Sequence, residues 1–120
     1  LSLPGVGQRR EAPVLKRLLG IFVVEMGRHV GLVQAAFARG DREQLGRLLH
    51  RMKSSASAIG AQGLAALALG LEGRLRAGLP LEPADGAAIA RAWLDVRQAF
   101  LDEGLLSPDE LRSIEAPGGP

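Results

Sequence analysis

An all-α fold, an up-down-up-down four-helix bundle with a short extra helix at the C-terminus, follows from three features of this 120-residue sequence. Gly, Ala, Leu and Arg dominate and strand formers are scarce, a composition that favours helix. Apolar residues recur at three- and four-residue steps along the long segments, the spacing of a single buried helix face. The connections between those segments are short, which makes successive helices antiparallel neighbours.

Residues 1–11 read as a linker, and residues 12–103 as the bundle. Pro13 suits the first turn of a helix, and Leu15, Leu18, Leu19, Phe22, Val23, Met26, Val30, Val33 and Phe37 keep helical spacing as far as Arg39. Gly20, Gly27 and Gly31 each weaken that helix by up to ~1 kcal/mol relative to alanine, so a break or bend near Gly20 is expected. Gly40 ends the segment, and Asp41 opens the next as an N-cap with Gln44 three residues later. That second segment runs to about Ile59, where Gly60 makes a turn. A third helix carries Leu64, Leu67, Ala68, Leu71 and Leu75 on one face until Gly78-Leu79-Pro80 breaks it. Pro83 starts a fourth, with Ile89, Trp93, Val96 and Phe100 on its stripe. In residues 104–120, Ser107-Pro108-Asp109-Glu110 is another capping signal with proline at the first helical position. It predicts a short helix over 108–114 followed by a disordered tail.

Several function classes are excluded at this level. The chain has no cysteine, so disulfide frameworks and thiolate metal sites are absent and a reducing, cytoplasmic setting is expected. No His-Glu-x-x-His helix is present, and Lys53-Ser54 lacks the glycine loop of a nucleotide site. No continuous apolar run approaches the ~18 residues of a membrane span, and Leu1-Ser2-Leu3 does not resemble the charged start of a signal peptide. The chain opens on Leu1 rather than methionine, which suggests a segment of something longer. Charge is uneven: ten Lys/Arg against four Asp/Glu through Lys53, then five against nine. A basic half favours an acidic partner or nucleic acid. No aromatic residues cluster with the basic ones to stack on bases, which argues against nucleic acid.

Chemistry concentrates in Leu48-Leu49-His50-Arg51-Met52-Lys53-Ser54-Ser55-Ala56-Ser57-Ala58-Ile59-Gly60. Leu45, Leu48, Leu49, Met52, Ala56 and Ile59 form the buried stripe, and at roughly 100° per residue His50 falls on the solvent flank. Its neighbours one turn away are Gly46 and Ser54, with Ser57 a further turn on and Lys53 at i+3. A histidine in a clearing of small side chains, beside one ammonium group, suits a nucleophile that a large partner must reach. His29 lacks such surroundings and is expected to be an ordinary surface residue.

At these residues the chain resembles the histidine-containing phosphotransfer (HPt) domains of multistep phosphorelays. The matching positions are His50, Lys53, Ser54-Ser55-Ala56, Ile59 and Gly60, followed by Ala61, Leu64 and the pair Leu71-Glu72. The likeness in chain pattern covers residues 12–103, with one departure: Ser54 stands where the family usually has glycine. Histidine-kinase dimerisation helices also carry a phosphorylated histidine. They place an acidic residue directly after it and a proline five on, where this chain has Arg51 and Ser55.

The resemblance implies a four-helix bundle in which His50 accepts a phosphoryl group from a receiver-domain aspartate and passes it to another receiver. Neutral imidazole has the lone pair that this requires. Lys53 would offer its ammonium to the phosphoryl oxygens, and Arg76, near the end of the third helix, would be a second basic group there. Partner docking is assigned to Gly46, Arg47, Ser54 and Ser57. The implied partners are receiver domains of response regulators or a hybrid sensor kinase, met by a monomer with no autokinase activity, nucleic-acid contact or membrane contact. No cofactor or metal site belongs to the chain itself, since Mg²⁺ and the acidic base would come from the receiver. The context would be the C-terminal module of a hybrid kinase or a free-standing relay protein. A phosphate-free helical adaptor and a small basic nucleic-acid binder are the competing classes.

Overall fold

The structure, a computed structural model, describes residues 12–116. The linker expected over 1–11 and the disordered tail expected over 117–120 lie outside the described residues. Five helices follow in order: α1 (Ala12–Arg39), α2 (Arg42–Ala58), α3 (Gln62–Arg76), α4 (Pro83–Asp102) and α5 (Pro108–Glu115). Among the described residues there is no strand. Helices α1 and α2, α2 and α3, and α3 and α4 pack as neighbours, and α4 closes the bundle against α1.

The break expected near Gly20 does not occur, and α1 is one helix of 28 residues. A glycine's propensity penalty is at most ~1 kcal/mol, whereas Leu19, Val23, Met26 and Val33 of α1 are fully buried on a single stripe. Each such side chain contributes roughly 1.5–3 kcal/mol, so burial on both sides of Gly20 overrides it. Gly20 instead faces α5: a Cβ there would lie 3.6 Å from Ile114. By length and composition α1 is also apolar enough to cross a membrane, although no unbroken apolar run in it reaches that length. Lys16, Arg17, Glu25 and Arg28 interrupt it, and its apolar stripe forms one wall of the core.

The caps form as the sequence indicates. Asp41 Oδ1 accepts from the Gln44 backbone N–H at 3.0 Å, and Ser107 and Glu110 form a capping box at the start of α5. Leu106 and Leu111 close the end of the core, and Phe22 meets Trp93 and Phe100 edge-on at 5.9 and 6.0 Å. Ion pairs Lys16–Glu110 at 2.7 Å and Arg97–Glu115 hold α5 against α1 and α4.

His29, expected on the surface, is buried. It sits three residues after Met26 and four before Val33, so the same periodicity that buries them carries it inward. Among the described residues its Nδ1 has no hydrogen-bond partner, and the Arg28 guanidinium stands 3.5 Å from its Nε2. Burial, then the charge of Arg28, push its pKa below the ordinary 6.5; Glu25 opposes this and Arg51 adds to it. The unfolded chain therefore binds this proton more readily than the folded one, and His29's contribution to stability is complete above 6.5 and lost as pH falls through the folded value. Urea midpoints should fall from pH 7.5 toward pH 5 in the parent, and His29→Leu should flatten that dependence.

Candidate functional site

The site is built where α2 meets α3. Buried Leu45, Leu48, Leu49, Met52 and Ala56 fix the rotation of α2, and this leaves His50 on the outer flank with its side chain 57% exposed. Gly60, with φ +78°, reverses the chain within three residues, and the Ala61 N–H donates to the Ala56 carbonyl at 2.8 Å. A non-glycine residue is strained at that φ. The short turn sets α3 antiparallel and close beside α2.

From α3, Glu72 reaches back to His50. It is the one acidic residue of α3, and it lies on the apolar stripe with Leu64, Ala68 and Leu71. Its side chain is only 6% exposed. Three donors converge on it: His50 Nδ1 and Arg76 Nη2 on Oε2, each at 3.0 Å, and Lys53 Nζ on Oε1 at 3.1 Å. Burial raises the pKa of such a carboxyl. The hydrogen bonds from Lys53 and His50, with the charges of Arg76 and Lys53, outweigh it and hold Glu72 below the usual carboxylate range. Glu72 is therefore ionised at neutral pH and can only accept, so the proton of a neutral His50 ring belongs on Nδ1.

The expected residues are thus brought together, with one that was missed. Lys53 and Arg76 do flank His50, yet both are tied to Glu72, a residue noticed only as part of a pattern and given no role. The signal was present: a lone carboxylate on an apolar stripe needs a partner. Gly46 has open space where a Cβ would stand, and Ser54 and Ser57 are exposed. Arg47 is braced by Glu43 Oε1 and Gln44 Oε1, both at 2.9 Å. Arg42 reaches from the start of α2 to the Leu75 carbonyl at the end of α3 and the Leu79 carbonyl in the connection after it. A cleft of about 560 Å³ opens beside His50, lined by Arg42, Arg47, Arg51 and Arg76 with Glu43 and Glu72 among others. Among the described residues no cluster of three or more His, Asp or Glu could hold a metal ion.

One family model, described as Hpt domain, matches residues 17–103. No curated protein and no solved structure matches the chain. The open surroundings of Gly46 and Ser54 carry their own expectation. Gly46→Leu, at a half-buried position with open space at its Cβ, and Ser54→Leu, at an exposed one, should each unfold within about 0.5–1 kcal/mol of the parent. Gly46→Leu should gain whatever helix propensity the glycine withholds. Thermal or urea denaturation checks both.

Proposed function

This chain belongs to the Hpt-domain family, and on that premise we propose that His50 accepts a phosphoryl group from a receiver-domain aspartate and hands it to a second receiver. Family membership carries a phosphorelay role in general; the acceptor, its helpers and its partners are our assignment. The observation that carries it is the hydrogen bond from His50 Nδ1 to the buried Glu72. With the proton held on Nδ1, the lone pair lies on Nε2, in a side chain that is 57% exposed.

Attack then proceeds in line. The Nε2 lone pair bonds to phosphorus, the bond from phosphorus to the aspartyl oxygen breaks, and the carboxylate keeps that electron pair. Phosphoryl transfer of this kind is governed by positioning and by neutralising charge on the three outer oxygens. Lys53 carries three N–H donors and Arg76 five, more than Glu72 takes up. Both can hold Glu72 and still turn donors to a phosphoryl group on Nε2. Mg²⁺ and the acidic cluster around the aspartate come from the receiver. The guanidinium-lined cleft complements such a pocket and would steer its approach. Gly46, Ser54 and Ser57 give the receiver room, and Arg47, pre-aimed by Glu43 and Gln44, meets its acidic rim.

The module thus relays phosphate without making it from ATP, as a monomer in the cytoplasm. It serves either as part of a hybrid sensor kinase or as a free-standing relay protein. Incubation with a panel of phosphorylated receivers tests this. Acid-labile phosphate should appear on His50 and vanish in His50→Gln with helical content intact; undiminished labelling of that variant would sink the assignment, and no labelling of the parent would favour a phosphate-free adaptor. Lys53→Ala should slow transfer at least several-fold. Gly46→Leu and Ser54→Leu should lose most transfer from a receiver while phosphoramidate, a small donor, still labels His50.

A further inference from the structure

The same network makes a demand on the second half of the relay, when the phosphoryl group must leave. Once phosphorus is bonded to Nε2, the ring can depart in two ways. If Nδ1 still carries its proton, the ring is cationic and leaves as neutral imidazole. If that proton has been lost, the ring must leave as an imidazolate anion, a far poorer leaving group. The protonation of Nδ1 therefore decides whether the phosphoryl group is transferable.

We propose that Glu72 keeps Nδ1 protonated in phosphorylated His50, so that onward transfer stays fast above neutral pH. This rests on the relay reading above and deepens it. Glu72 Oε2 lies 3.0 Å from Nδ1, and its side chain is 6% exposed, so the carboxylate side of the pair is shielded from water. Lys53 and Arg76, each bonded to the same carboxylate, keep it anionic and prevent it from taking the ring proton itself. The two cations hold the carboxylate and the carboxylate holds the proton. The other charged groups facing the ring are Arg42, Glu43, Arg47 and Arg51 from α2, all lining the cleft beside it. Of the five cations around the ring, Lys53 and four arginines that line the cleft, each disfavours a cationic ring. Glu72 is the charge that opposes them at contact distance.

The onward step balances without any proton transfer. A receiver aspartate oxygen bonds to phosphorus, the P–Nε2 bond breaks, and its electron pair returns to Nε2 while Nδ1 keeps its proton. The ring is then neutral with Nε2 unprotonated, ready for the next phosphoryl group. Glu72 is a positioning residue in this scheme, since it touches the ring and not the reacting atoms.

Glu72→Gln separates charge from shape, because the amide oxygen can still accept from Nδ1. The full chain is labelled on His50 with phosphoramidate, and the Nδ1 proton is followed by ¹⁵N NMR across pH 6–9. The parent should retain that proton to a higher pH than free phosphohistidine, and the variant should lose it at least about one pH unit earlier than the parent. Transfer to an unphosphorylated receiver should be nearly flat with pH in the parent. In the variant it should fall up to about tenfold per unit once the proton is lost. Glu72→Asp, which keeps the charge, should recover part of the difference. Identical titration in parent and Glu72→Gln overturns the proposal. If the variant does not fold, a parent that titrates with free phosphohistidine overturns it equally. A retained ring proton with no transfer to any receiver would instead defeat the relay reading and leave the role of Glu72 standing.

Discussion

A carboxylate buried between two helices is tolerated only if its charge is met at contact distance, and Glu72 sets that condition for the α2–α3 half of the molecule. Its two oxygens are met by His50 and Lys53 from α2 and by Arg76 from α3. Two of those donors stand three residues apart on one helix and the third one turn along the other. Arg76 reaches it along α3 itself, but His50 and Lys53 can both reach it only at one axial register of α2 against α3. The Gly60 turn fixes one end of that register, and Arg42, bonded to the Leu75 and Leu79 carbonyls, fixes the other. The exposed imidazole is oriented from beneath by a group that solvent scarcely touches.

Helix α2 divides two requirements between its faces. The inner face buries three leucines, a methionine and an alanine, and the larger of these contribute roughly 1.5–3 kcal/mol apiece. The outer face carries Gly46 beside Ser54 and Ser57, poor helix formers that withhold up to ~1 kcal/mol for the glycine and less for each serine. The inner face outweighs the outer by a wide margin, so the surface around His50 can stay low without melting the helix. A helix of this length in isolation, dependent on propensity alone, would not hold such a surface.

Periodicity was sufficient to place the helices, because each must turn one stripe toward a shared core. It also rotated α2 correctly, which brought His50, Gly46 and Ser54 to the outside. It went wrong where the deciding contact lies far along the chain. Gly20 looked like a break because its penalty is local, whereas Ile114, which lies over it, comes from α5. His29 and Glu72 were both legible as polar residues on apolar stripes, and neither was followed to its consequence. Arg76 stands four residues after Glu72 on the same helix, a pairing that spacing does show, but that His50 and Lys53 of α2 meet them there was not legible at all. It depends on how far α3 slides along α2, and no single-helix pattern records that distance.

The tight reversal at Gly60 also makes the chain unequal in where it can be lengthened. Gly60 and Ala61 are buried, and the Ala61 N–H is bonded back into α2. One added residue there would displace α3 by about 1.5 Å along its axis and turn it by about 100°, carrying Glu72 off the seam. The bend after α4 is different: Glu103 and Gly104 are exposed, and among the described residues α5 alone follows as a helix. Grafted segments, whether a tether, a fluorophore or a fused domain, belong at that bend, where growth of the chain leaves the spacing of α2 and α3 untouched.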